Sequence, residues 1–287
     1  MTEHEIIIAD SIPEQEYQKV FYKALDYAIL SLPFTIDRMA LKNTERQIAN
    51  ITKGKLAEGL LCFFFKHNSI RADFASCSTP FYQTDKRDFL LNGCEWDLKN
   101  NFIYHAGNVL TDYNYTDVPA LVPNRHPGDQ WAKRQKKNFE QSRGVNFLFT
   151  FLKGADLERG ERGEPFFTLH LDDVQKSILA KMCAKYRGTA QDDKPFEENS
   201  FVDYFYKYKP LRDILVIREK PALVITAFAD HSHWPLFKDT NRADFLNGIL
   251  MTKIKNATCP IKKLPSFLSL FPRLKSGLYF GSRKNVE

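Results

Sequence analysis

Two aspartates and a lysine lie close together between Arg87 and Asn101. Asp88 precedes a short apolar run, and Asp97 and Lys99 follow the dipeptide Asn92-Gly93, a strong hairpin signal. Alternate side chains of a strand share a face, so Asp97 and Lys99 project together, and the hairpin brings Asp88 beside them. Neighbouring carboxylates repel unless a cation lies between them, and oxygen ligands select a hard ion such as Mg²⁺. The lysine would then position or deprotonate a water molecule, or stabilise charge developing on a phosphate.

The hydrophobic pattern around this stretch changes repeatedly between helical spacing and strand-like runs. Pro33 is expected to end the first helix, and the proline-rich segment 112–128 is expected to be a loop. The predicted helices cover residues 13–30, 43–66, 129–142, 173–186 and 242–255. The predicted strands cover residues 70–74, 89–91, 95–104, 145–152, 165–171, 213–218 and 222–228. The chain is therefore predicted to be an α/β protein.

This order of elements, with Asp88, the Asp97-Leu98-Lys99 triplet and the helical segment Lys53-Gly-Lys-Leu-Ala-Glu58, resembles the PD-(D/E)XK nuclease superfamily. In that family a helix contributes an acid, one strand carries the first aspartate, and the next strand carries the (D/E)-x-K pair. The resemblance covers residues 43–152, and Arg87 stands where the family name places proline.

The resemblance implies an α/β fold with a restriction-endonuclease-like core, in which a central mixed β-sheet is flanked by helices. The expected organisation is an N-terminal helical segment at 1–40, the nuclease core at 41–155, and additional C-terminal α/β elements at 156–287. The last of these regions would bind DNA or form a dimer, and it ends in a basic tail.

The implied activity is magnesium-dependent hydrolysis of DNA phosphodiester bonds, with Mn²⁺ as a substitute ion and 5′-phosphate products. Asp88, Asp97 and the Leu98 carbonyl would bind the metal, Lys99 would act on the attacking water, and Glu58 would be an auxiliary acid. Chain length and the lack of helicase motifs favour a type II restriction endonuclease, which usually acts as a homodimer on palindromic double-stranded DNA. No nucleotide cofactor is expected, since the chain has no Gly-x-x-x-x-Gly-Lys-Ser/Thr loop.

Three alternatives stay open. The chain could be a structure-specific or defence-associated nuclease of the same fold, or a nucleic-acid-binding module that does not cleave. The hairpin charges could also be merely solvated. Asp and Lys are poor strand formers, however, so their presence in an apolar hairpin favours a functional role. Glu95 shares the face of Asp97 and is a further candidate ligand.

Basic residues are the candidates for DNA contact. The net charge is +6, and the segment from Met251 onward carries eight basic residues against one acidic residue. Such a segment suits a polyphosphate partner, although a solvated tail is an equal alternative. The individual candidates, on a loop and on the helix predicted after it, are Arg125, Lys133, Lys136 and Lys137.

The remaining composition excludes other classes. The five cysteines show no Cys-x-x-Cys spacing, so neither a disulfide framework nor a zinc knuckle is indicated. The acidic N-terminal residues do not suit a signal peptide, and the most apolar run, 59–65, is too short to span a bilayer. A cytoplasmic protein is expected. His231 and His233 lack an obvious third ligand and indicate a polar loop.

Overall fold

The computed structural model describes residues 2, 5–35, 43–83, 87–105, 115–123, 145–156, 165–240, 245–246, 250–251 and 255–271. The helices are α1 (Glu14–Thr35), α2 (Thr44–His67), α3 (Asp173–Tyr186), α4 (Glu198–Tyr208) and α5 (Leu211–Ile214). The first strands are β1 (Ile7–Ala9), β2 (Ala72–Asp73), β3 (Phe89–Leu91), β4 (Cys94–His105), β5 (Pro119–Pro123) and β6 (Val145–Asp156). The others are β7 (Phe167–Leu169), β8 (Leu215–Ile217), β9 (Ala222–Ala229), β10 (Lys238–Asp239), β11 (Phe245–Leu246), β12 (Leu250–Met251) and β13 (Asn256–Pro260).

A six-stranded mixed sheet forms the centre, in the order β1-β9-β6-β4-β3-β2. β4 and β6 are parallel, and the other neighbouring pairs of this sheet are antiparallel. The prediction of an α/β protein with a mixed sheet flanked by helices is confirmed. The strands come from residues 7–229, so the sheet joins the N-terminal, middle and C-terminal parts of the chain.

Two hydrophobic cores cover the two faces of this sheet. The first contains α1 and α2 together with Leu148 and Leu152 of β6. The second contains the alternate residues Phe147, Phe149 and Phe151, and it lies against a small sheet of order β10-β13-β5. Because β6 is buried on both faces, it reads as a continuous apolar run, which is why the sequence identified it. None of the described helices is long and apolar enough to span a membrane.

The β3–β4 hairpin has the turn that its sequence predicts. Asn92 and Gly93 have φ angles of 52° and 77°, which suit a type I′ turn. The turn pairs Phe89 with Trp96 and Leu91 with Cys94. Local turn chemistry therefore sets the register on which the position of every polar residue of β4 depends.

Replacing Gly93 with alanine is expected to lower the free energy of unfolding by about 1–2 kcal/mol, because an L residue at this φ is strained. A Cβ at Gly93 would meet no atom within 4 Å, so the cost is conformational. Urea unfolding measures it. The matched control is Gly54→Ala, where an added Cβ also meets nothing, but the residue lies within α2. The free energy of unfolding of Gly54→Ala should rise by up to about 1 kcal/mol. If the two variants changed the free energy of unfolding in the same direction, the turn assignment would be contradicted.

Three predictions about elements are wrong. Pro33 does not end α1, which continues to Thr35, because a proline in the last turn costs only one helical hydrogen bond. Part of the predicted loop 112–128 forms β5, whose prolines lie at the ends of a strand at a sheet edge, where a missing N–H is tolerated. Within the predicted helix 242–255, residues 245–246 and 250–251 form the antiparallel pair β11–β12. The predicted helix 129–142 lies outside the described residues.

Candidate active site

Asp88 and Asp97 lie near each other where the β3–β4 hairpin begins. Asp88 directly precedes β3, whose first residue, Phe89, pairs with Trp96, the neighbour of Asp97 in β4. The Asp88 amide donates to the Trp96 carbonyl at 2.8 Å, and the Leu98 amide donates to Asp88 Oδ2 at 2.6 Å. The Asp88 carboxylate thus lies at the amide that directly follows Asp97, so the structure brings these two predicted site residues together.

The Asp88 carboxyl group is enclosed by protein, although the residue as a whole is half-buried. This burial raises the pKa of Asp88 well above its ordinary value, and the negative charges of Asp97 and Glu58 raise it further. The Lys55 ammonium and the hydrogen bond from Leu98 act in the opposite direction but are the weaker influences. The neighbouring carboxylates therefore oppose ionisation of Asp88, and Lys55 offsets part of this effect.

Lys99 is held against Asp97 on the same strand. Its Nζ lies 2.6 Å from Asp97 Oδ1, and the two side chains are only 18% and 7% exposed. The ammonium also lies over the Phe147 ring of β6, 5.2 Å from the ring centre. The parallel strand thus restricts a side chain that is flexible in most surface lysines.

Glu58 comes from α2, as the resemblance implies, and its position depends on close packing of two helices. Its neighbour Gly59 faces Val20 of α1 so closely that an added methyl group would collide with the Val20 side chain. Glu58 Oε2 accepts from Lys55 Nζ at 2.7 Å, and these side chains are 23% and 19% exposed. Sequence reasoning missed Lys55 as a member of the site, although the i,i+3 spacing of Lys55 and Glu58 was a usable signal.

Arg87 and Glu95 form a separate ion pair beside this cluster. The pair neutralises Glu95, which had been a further candidate ligand. Arg87, directly before Asp88 in the chain, therefore has a partner of its own. On the other side of β4, Thr150 of β6 donates to the Asn100 side chain at 3.1 Å and ties the two parallel strands together.

The other predicted residues lie outside the described part of the chain or outside this cluster. Arg125, Lys133, Lys136 and Lys137 lie outside the described residues, as does most of the basic tail. His233 Nδ1 lies 2.8 Å from Asp230 Oδ1 in a capped 3₁₀ turn, which agrees with a polar loop. At Leu98, which is expected to bind metal through its carbonyl, the structure shows the amide donating to Asp88 Oδ2.

The oxygen atoms of Asp88, Asp97 and Glu58 are ligands of the type that Mg²⁺ prefers. In the described part of the chain, however, no three His, Cys, Asp or Glu side chains are grouped so that they could hold a metal ion. The described residues therefore supply suitable donor atoms without an assembled metal site.

The chain matches no known protein-family model, no curated protein and no solved structure. Its chemistry is therefore inferred from the site residues themselves.

Proposed function

We propose that this chain is a magnesium-dependent endonuclease that hydrolyses DNA phosphodiester bonds, of the type II restriction endonuclease kind. The observation that carries the proposal is the enclosed Asp88 carboxyl group beside Asp97, with Lys99 Nζ 2.6 Å from Asp97 Oδ1. Hydrolysis needs both metal ligands and a nearby ammonium group, whereas a protein that only binds nucleic acid has no use for this combination.

The topology supports the proposal. A helix, α2, carries an acid, an antiparallel hairpin carries the two aspartates, and β6 lies parallel to β4. Parallel strands need a crossover connection, and the restriction-endonuclease-like order places a helix there. The predicted helix 129–142 falls in this connection.

Each residue has a role that its position supports. Asp88 and Asp97 would hold Mg²⁺ together with the Leu98 carbonyl, and Glu58 would be an auxiliary acid. A divalent ion held by these residues would supply positive charge at the scissile phosphate and activate the attacking water. Lys99, once freed from Asp97, would hold the attacking water through Nζ and stabilise negative charge on the phosphate.

Double-stranded DNA is the proposed substrate, and a homodimer is the proposed active form. A dimer with two-fold symmetry would place two such sites on the two strands of a palindromic duplex. The positive net charge of +6, concentrated in the C-terminal segment, favours a polyphosphate partner.

The test is a cleavage assay of the full chain on mixed plasmid and genomic DNA, with Mg²⁺, with Mn²⁺ and with EDTA. We expect discrete bands that need the divalent ion and that are lost in Asp97→Ala. Smearing would instead favour a non-specific or structure-specific nuclease of the same fold. DNA retention on a gel without any cleavage would replace the proposal with a binding module.

A further inference from the structure

Helix α4 carries a stripe of exposed residues along one side, which we call the α4 face. Its members, at spacings of three and four residues, are Ser200, Asp203, Tyr204, Lys207 and Tyr208. On the opposite side of the helix Phe205 is fully buried, and the Tyr206 hydroxyl donates to the Asp26 carboxylate of α1 at 2.8 Å. These contacts fix the helix from behind, so the α4 face is held towards solvent.

Two tyrosine rings dominate the α4 face. Tyr204 and Tyr208 are 47% and 44% exposed, which is high for large aromatic side chains. Their ring centres lie 5.3 Å apart in an edge-to-face arrangement, and the Tyr208 hydroxyl donates to the Tyr204 hydroxyl at 3.1 Å. Tyrosine is enriched where proteins contact one another, and rings that already restrain each other lose less freedom on binding. This pair therefore has the properties of a protein contact surface.

Asp203 and Lys207 give the α4 face two opposite charges, one helical turn apart. Suppose that a second copy of α4 packs antiparallel on the first, with each Tyr204 opposite the Tyr208 of the other copy. Each Asp203 then lies opposite the Lys207 of the other copy, because a two-fold axis repeats every contact. One arrangement thus brings four rings together and forms two ion pairs between the copies. The α4 face is complementary to itself, which favours a second copy over a partner of a single charge, such as a nucleic acid.

We propose that two copies of this chain associate through the α4 face, antiparallel about a two-fold axis. The tyrosines form the centre of this interface, and the pairs of Asp203 with Lys207 form its edge. The inference rests on the homodimer of the proposed function and extends it, because it assigns the surface through which the dimer forms.

The test is sedimentation equilibrium of the full chain, of Asp203→Lys, of Lys207→Asp and of the double variant. Each single reversal places like charges opposite each other twice and should raise the dimer dissociation constant by about 10- to 100-fold. The double variant exchanges the two charges and should return the constant to within about threefold of the native value.

A mixture of the two single variants gives the sharpest result. In a mixed dimer, opposite charges face each other again at both positions, so the mixture should dimerise although each variant alone does so poorly. Fluorescent labelling of one variant detects the mixed dimer. A change confined to one helix, such as loss of an Asp203–Lys207 contact within α4, cannot be restored by mixing.

Lys181→Asp is the matched control, because Lys181 is exposed on α3 and its reversal changes the net charge as Lys207→Asp does. This variant should dimerise like the native chain. Tyr208→Ala tests the aromatic centre independently and should raise the dissociation constant by at least about tenfold. Circular dichroism checks that every variant folds, as expected for substitutions at exposed positions.

The inference is overturned if the native chain stays monomeric, if the reversals leave its dimer intact, or if the mixture of single variants does not dimerise. A monomeric native chain that binds DNA on a gel, and loses this binding in Tyr208→Ala, would assign the α4 face to nucleic acid instead. DNA cleavage separates this inference from the proposed function. Cleavage by a native dimer that the reversals do not affect rejects only the α4 interface. A dimer that responds to the reversals as expected, but does not cleave, rejects only the nuclease.

Discussion

Lys99→Met is expected to reduce magnesium-dependent DNA cleavage by about 10²- to 10⁴-fold, the range found for a positioned group that acts on a transferred proton. Methionine keeps an apolar stem that can pack against Phe147, but it has no ammonium group to hold water or to stabilise charge on the phosphate. Single-turnover cleavage at saturating Mg²⁺ measures the loss. DNA binding, followed on a gel in the presence of Ca²⁺, should change little.

The matched control is Lys153→Met on β6, a half-buried lysine next to β4 that pairs in register with Ile103, well away from Asp97. This variant should cleave at close to the native rate. Native activity in Lys99→Met, or equal losses in both variants, would show that the ammonium of Lys99 has no part in the reaction. Melting temperatures of all three proteins separate loss of chemistry from loss of folding.

Asp88→Asn is expected to abolish cleavage and, at neutral pH without metal, to stabilise the fold. The pKa of Asp88 is raised in the folded protein, so the folded chain binds more protons than the unfolded chain between the two pKa values. Stability therefore falls as pH rises from the ordinary aspartate pKa towards the raised one. Asparagine removes this cost, and its side-chain oxygen can still accept the Leu98 hydrogen bond.

We expect Asp88→Asn to gain about 1 kcal/mol in unfolding free energy at pH 7, or about 2–4 °C in melting temperature. The gain should vanish in acid below the ordinary aspartate pKa, where the carboxyl group is protonated in both states. Thermal unfolding in EDTA from pH 3 to pH 8 measures it. Asp73→Asn is the control. Hydrogen bonds from Ser76 lower the pKa of Asp73, so loss of this carboxylate should not stabilise the fold. If Asp88→Asn is less stable than the native chain at pH 7, the repulsion assigned to the Asp88 carboxylate is contradicted.

The parts of the site that follow from local rules could be read from the sequence. Asn92-Gly93 fixes the turn, and the turn fixes which residues of β4 share a face, so Asp88, Asp97 and Lys99 could be placed together. The apolar run of β6 was equally clear. These features need no knowledge of distant parts of the chain.

Features set by distant packing could not be predicted in this way. The position of Lys99 depends on Phe147, which is 48 residues away and meets it only because β4 and β6 pair in parallel. The i,i+3 spacing of Lys55 and Glu58 signals an ion pair, but only the packing around α2 places that pair beside Asp88. The residues of β11 and β12 predict a helix because Phe245, Leu246 and Leu250 fit helical spacing as well as strand spacing.

The order of strands in the central sheet also bears on how the protein folds as it is synthesised. The β3–β4 hairpin closes through neighbouring residues and can form as soon as it leaves the ribosome. β6 must cross over to reach β4, and Ile7 of β1 finds its partner only at Ile225 of β9, more than two hundred residues later. Such distant pairings make folding slow. The proposed metal ligands of the hairpin would thus meet early, whereas the sheet that encloses them closes only when nearly the whole described chain has been made.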